Sequence, residues 1–188
     1  MSQRPFGLFL RSFADNFLAA LLMLAGLRRA FAHLHPSPVQ FLFFLTGSLL
    51  TSLTFDLVSE GLPGNPDPVG FAVFLIPPFF WMIFGVFLAQ RYGVWRLVLG
   101  PVILWLAADI VVGLLQSGIQ LAGQEERLPI WLGNHIPNLY LLLFAWPTAS
   151  VIIVFGRQLA WSWWQRGIVL ACALSLLYGW SYLFAEQR

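Results

Sequence analysis

Residues 97–121 read LVLGPVILWLAADIVVGLLQSGIQL, a run that carries a single charged side chain, Asp109. As an α-helix it would rise about 37 Å, enough to cross the roughly 30 Å hydrocarbon core of a bilayer. Four further segments of the same kind follow from the sequence, at 39–58, 69–90, 136–156 and 167–185. The first opens just after Pro36 and Pro38. Composition agrees, because 59% of the 188 residues are hydrophobic and 10% are charged. Soluble domains run at roughly 45–50% and about 25%. No polar-patterned stretch of about 50 residues is left over for a soluble domain. The predicted fold class is all-α: a polytopic transmembrane helical bundle of five spans plus an N-terminal amphipathic interfacial helix.

The charges between the spans predict a direction. All ten basic residues are arginines. Arg4, Arg11, Arg28, Arg29, Arg91, Arg96, Arg157 and Arg166 fall on one side of the five spans, and Arg127 and Arg188 on the other. Short loops rich in basic residues stay cytoplasmic. The expected topology is therefore a bacterial inner-membrane protein, N-terminus cytoplasmic and C-terminus periplasmic. Glu60, Asp67, Glu125, Glu126 and Glu186 fall on the arginine-poor side. Arginines scattered singly or in pairs between apolar runs do not make a nucleic-acid surface. The outward loops read SEGLPGNPDP at 59–68 and GQEERLPIWLGNH at 123–135, the second holding Trp131 as an interfacial anchor.

Residues 1–35 differ in kind from 36–188, which hold the five spans. Phe6, Leu10, Phe13, Phe17, Leu21, Leu24 and Phe31 recur at mostly helical spacing, and Arg11 and Asp15 stand one turn apart and could pair. The uninterrupted apolar run, 17–27, is too short to span. It predicts a cytoplasmic amphipathic helix lying in the interface, with Arg11, Arg28 and Arg29 among lipid headgroups. The same run resembles the core of a signal peptide before Ala30-Phe31-Ala32, but Arg28 and Arg29 intervene and the segment is expected to be retained.

Inside the spans the chemistry is sparse. A carboxylate at bilayer depth is costly, so Asp109 needs either protonation or hydrogen-bond donors. Thr46, Ser48, Thr51, Ser52 and Thr54 on the first span, Thr148 and Ser150 on the fourth, and Ser175 and Tyr178 on the fifth are candidates. Gln116 and Gln120 continue the Asp109 face, so a polar seam of Asp109, Gln116, Thr51 and Ser48 is expected in the bundle interior. That seam reads either as a proton, ion or substrate site or as an interhelical lock. Pro77-Pro78 and Pro147 interrupt two spans, as in the broken helices of transporters or as ordinary kinks. Gly47 with Thr51, Ser48 with Ser52, and Gly85 with Ala89 are small-residue pairs that permit close packing. Cys172 is expected as a buried thiol. His33, His35 and His135 lie outside the spans, and no nucleophile has a base nearby. No cofactor and no metal is expected.

The stretch SFADNFLAALLMLAGLRRAF at 12–31, followed by a proline-containing break and five spans, resembles a bacterial Yip-domain-type membrane region. It is similar in layout to the membrane region that precedes legumain-like peptidase domains, and Asp56-Leu57 echoes a polar signature of eukaryotic Yip relatives. The resemblance implies a helical bundle of about five spans with no catalysis of its own. The expected partners are the lipid bilayer and a membrane-protein partner or a second copy, with no nucleic acid. The expected function is a non-enzymatic partner-binding or membrane-organising subunit. Two alternatives stay open: a small transporter or channel subunit, and an intramembrane enzyme acting on lipid or peptide.

Overall fold

The computed structural model describes residues 3–60, 68–124 and 135–185. The expectations for Trp131, Arg127 and most of both outward loops lie outside these residues, as do the side chains of Arg4, Phe6, Arg96 and Tyr178. Among the described residues there are six long helices and no strand. They are α1 (Gln3–Leu24), α2 (Pro38–Glu60), α3 (Pro68–Tyr92), α4 (Gly100–Gln124), α5 (Ile136–Gln158) and α6 (Trp163–Ala185). Two 3-10 segments, Arg28–His33 and Trp95–Leu97, bridge them.

By length and composition, five stretches among the described residues can cross a membrane: Gly7–Leu24, Pro38–Leu57, Leu75–Tyr92, Gly100–Gly123 and Asn138–Gln158. The chain is an all-α helical bundle of a multi-pass membrane protein. This set includes the N-terminal helix, which the charge pattern assigns to the interface, and does not include α6, which holds the expected span 167–185.

Helix ends follow local chemistry. Ser37 Oγ accepts the Gln40 N–H at 3.2 Å, capping α2 just before Pro38. Gln165 Oε1 accepts the Ser162 N–H at 2.9 Å, the reciprocal half of a capping box at α6. At the end of α1, Gly26 takes φ +70° while the Leu27 N–H reaches back to Leu22 O at 2.9 Å. Such a stop needs a left-handed residue, which glycine supplies without a Cβ penalty. Pro77, Pro78 and Pro147 do not break their helices: α3 and α5 run through them. Neighbouring helices shield a turn that has lost a donor, so a membrane helix tolerates proline.

The centre of the bundle is α4, fully buried from Val102 to Leu104 and from Leu106 to Ala108. It packs against α1, α2, α3 and α5, with α2 its most extensive neighbour. Helices in lipid gain little from apolar burial against each other, so close packing decides which pairs meet. Gly47 lies where a Cβ would come 2.8 Å from Ile110 Cδ1, and Gly113 where one would come 2.5 Å from Thr51 Cγ2. Positions 47 and 51 thus meet 110 and 113 in the same order, so α2 and α4 run parallel. Gly85 of α3 makes a comparable approach to the Val98 carbonyl.

The first helix lies across the others. Phe13 packs on both Phe43 and Phe44, and Phe9 also meets Phe43, so two successive turns of α1 touch one turn of α2. Farther on α1 packs against α4 and α5. Its fully buried positions are Asn16, Ala19, Ala20 and Met23. Of the expected apolar stripe, Leu10 and Leu21 face away from the bundle, while Phe13, Phe17 and Leu24 pack against its core. Small side chains let α1 sit close to the bundle, and the bulky ones are left to flank it.

Candidate functional site

The predicted interior seam begins where α2 and α4 touch. Ser48 Oγ–H donates to Asp109 Oδ2 at 2.5 Å. Ser48 is fully buried, set between Gly47 and Thr51 on the face that meets α4. The spacing of Ser48 from those two small residues brings its short hydroxyl within reach of a carboxylate on a helix that approaches closely. Of the expected donors to Asp109, Ser48 is the one whose hydroxyl the described residues bring to it.

The others serve elsewhere. Thr51 donates to Gly47 O on its own helix at 2.9 Å, while its methyl fills the space over Gly113. Thr148 accepts from Trp105 Nε1 at 3.3 Å, a buried contact that ties α5 to α4. Thr46 and Thr54 are exposed and donate to carbonyls one turn back. Two turns beyond Asp109, the Gln116 carbonyl accepts from Tyr140 OH at 3.4 Å, and Gln120 Oε1 accepts from the same hydroxyl at 2.8 Å. Tyr140 also meets Phe55 edge-on, at 5.9 Å between ring centroids. Sequence reading missed Tyr140, which joins α2, α4 and α5 near one end of the seam. Its place was visible as the one phenol near the start of the 136–156 run.

A second polar cluster lies where α1 crosses the bundle, and it was not expected. Asn16, fully buried, donates from Nδ2 to His35 O at 3.0 Å and accepts the His35 N–H on Oδ1 at 2.7 Å. Gln40 Nε2 donates to Ser12 Oγ at 2.9 Å and to Phe9 O at 3.3 Å. Asp15 does not pair with Arg11 among the described residues. Its carboxylate oxygens face His35 Nε2 at 3.6 Å and His33 Nδ1 at 3.9 Å, because the turn after α1 folds the linker back beside it. No group of three or more His, Cys, Asp or Glu side chains among the described residues is placed to hold a metal ion.

Among the described residues, two arginines hold backbone carbonyls. Arg157 Nη1 donates to Gly26 O at 2.9 Å, and Arg166 donates from Nε and Nη2 to Trp161 O at 3.1 and 3.0 Å. Trp161 Nε1 in turn donates to Tyr92 OH at 2.9 Å. Arg11, Arg28 and Arg29 are exposed. Cys172 was expected to be buried and is exposed instead, since the neighbouring Ala173 is the residue α6 turns inward. No family model, no curated protein and no solved structure matches the chain.

Proposed function

We propose that the chain is a non-enzymatic subunit of a bacterial inner membrane, which binds a membrane-protein partner or a second copy and organises the lipid around it. In this reading α2 to α6 cross the membrane, and α1 lies obliquely in the cytoplasmic leaflet with Arg11, Arg28 and Arg29 at the headgroups. The N-terminus is cytoplasmic and the C-terminus periplasmic. The bacterial Yip-type resemblance of residues 12–31 fits such a scaffold.

The observation that carries this reading is the use made of the intramembrane polar side chains. Ser48 and Asp109, Trp105 and Thr148, and Tyr140 and Gln120 each tie one helix to another. Polar groups spent in this way give the bundle a fixed shape. The oblique placement of α1 draws support from its crossing of α2 and from the outward Leu8, Leu18 and Leu21, which suit acyl chains better than water.

Photo-crosslinking from the outward positions Leu42, Leu50 and Leu53, combined with mass measurement in detergent-free native nanodiscs, tests the reading. One discrete protein adduct and a complex heavier than a single chain are expected. Adducts with lipid alone, on particles holding one chain, would remove its basis.

A transport reading is favoured by one observation. The Trp81 indole N–H is fully buried with no acceptor among the described residues, one turn beyond Pro77. An unpaired buried donor is costly and suits a polar occupant. Asp109→Asn separates the two readings: proton- or solute-coupled flux in proteoliposomes of the unaltered chain that vanishes in this variant supports transport, and flux that is unchanged in the variant ends it.

A further inference from the structure

The turn after α1 brings Arg28 and Arg29 close in the chain to Gly26, the residue whose carbonyl holds Arg157. Gly26 reverses the chain, so Arg28 and Arg29 follow it by two and three residues, within roughly 10 Å of its carbonyl by chain length. Arg157, in the last turn of α5, is anchored on that same carbonyl. This contact engages one of the five N–H groups of Arg157, and the residue remains exposed. Among the described residues no acidic side chain forms an ion pair with any of the three. The platform is rigid, because Ala30 is fully buried and Phe31 packs edge-on against Phe155 at 4.7 Å between centroids.

Apolar surface adjoins the charges. Leu21, Leu27 and Trp146 are each more than two-fifths exposed, and Trp146 Nε1 donates to Leu24 O at 3.1 Å, which seats its ring against the end of α1. Arginines beside exposed apolar side chains match a ligand with phosphates at one end and acyl chains at the other. Arg166 differs, since two of its nitrogens are engaged by the Trp161 carbonyl.

We infer that Arg28, Arg29 and Arg157 form a site for an anionic phospholipid whose head group carries two phosphodiesters, with its acyl chains along the seam between α1 and α5. Three guanidiniums exceed what one phosphodiester can neutralise, and the exposed Leu21, Leu27 and Trp146 beside them favour a lipid over free phosphate. The inference rests on the reading of α1 as a helix of the cytoplasmic leaflet.

Native mass spectrometry of the full chain, loaded with tetraoleoyl cardiolipin, dioleoyl phosphatidylglycerol or dioleoyl phosphatidylcholine, tests it. Cardiolipin is expected to be retained over both others and to resist millimolar pyrophosphate. Each arginine removed should weaken retention about fivefold, and Arg28→Gln, Arg29→Gln and Arg157→Gln together on the order of a hundredfold. The Arg28→Gln, Arg29→Gln pair alters exposed residues only, so its loss of cardiolipin is not a folding effect. Retention in the triple variant equal to that of the unaltered chain overturns the site. So does an equal loss in Arg91→Gln, which would mean a diffuse basic surface, or displacement by pyrophosphate. A nitroxide at Leu18→Cys, in a Cys172→Ser background, reports the depth of α1 separately. A label outside the leaflet ends the reading of α1 and the site with it, while a label inside it without arginine-dependent retention ends the site alone.

Discussion

The seam between α2 and α4 and the clasp that holds α1 both rest on buried polar side chains, yet they are built differently. In the seam, the hydroxyl of Ser48 meets the carboxylate of Asp109, with glycines at 47 and 113 letting the helices close. In the clasp, Asn16 binds no side chain; it takes the backbone N–H and C=O of His35. Inside a helix the main chain is already paired, so a polar side chain there must find another side chain or a carbonyl one turn back. The linker at 34–37 is not helical, and its free backbone groups need a partner. Asn16 supplies both halves of one.

The difference can be broken experimentally. Gly113→Ile should have the largest effect, since even its Cβ would stand 2.5 Å from Thr51 Cγ2. We expect a loss of about 3 kcal/mol in detergent unfolding, as for overpacked cores. Stability equal to that of the unaltered chain would mean that close approach does not hold the seam.

Asn16→Ala comes next, because it takes the partner from both the N–H and the carbonyl of His35. A cost of about 2 kcal/mol is expected, confined to the arm. Hydrogen exchange should quicken over residues 16–37 and stay unchanged in α2 beyond Phe44 and in α4. Equal quickening throughout would show that clasp and bundle unfold as one unit.

The smallest effect belongs to the Ser48–Asp109 contact, despite its depth. A double-mutant cycle of Ser48→Ala and Asp109→Asn should give a coupling of about 0.6 kcal/mol, because hydroxyls in lipid find other partners when one is removed. A coupling several times larger would mark Asp109 as more than a tie between helices.

Much of the fold is legible in residue type alone. The run at 97–121 becomes α4, and the expected spans at 39–58, 69–90 and 136–156 sit within α2, α3 and α5. Hydrocarbon imposes the helix and its length, so an apolar run of this size has few other outcomes. That Asp109 needs a hydroxyl donor was also legible, but which of many candidates supplies it was not, because Ser48 is selected by the way α2 meets α4. The assignment of Thr148 to Trp105, and of Tyr140 to Gln120, was not legible, because it depends on how α5 is rotated against α4.

Sequence by itself thus determined that this chain is a bundle of long apolar helices, where its lone deep carboxylate lies, and that its arginines segregate. Only the tertiary structure decided that α2 and α4 run together, that Asn16 takes the backbone of His35, and that Arg157 is held on the carbonyl of Gly26. The reason is physical. Span formation is set by transfer of each residue from water to lipid, a property of local composition. Which helix faces meet is set by close packing and hydrogen bonding between segments far apart in the chain.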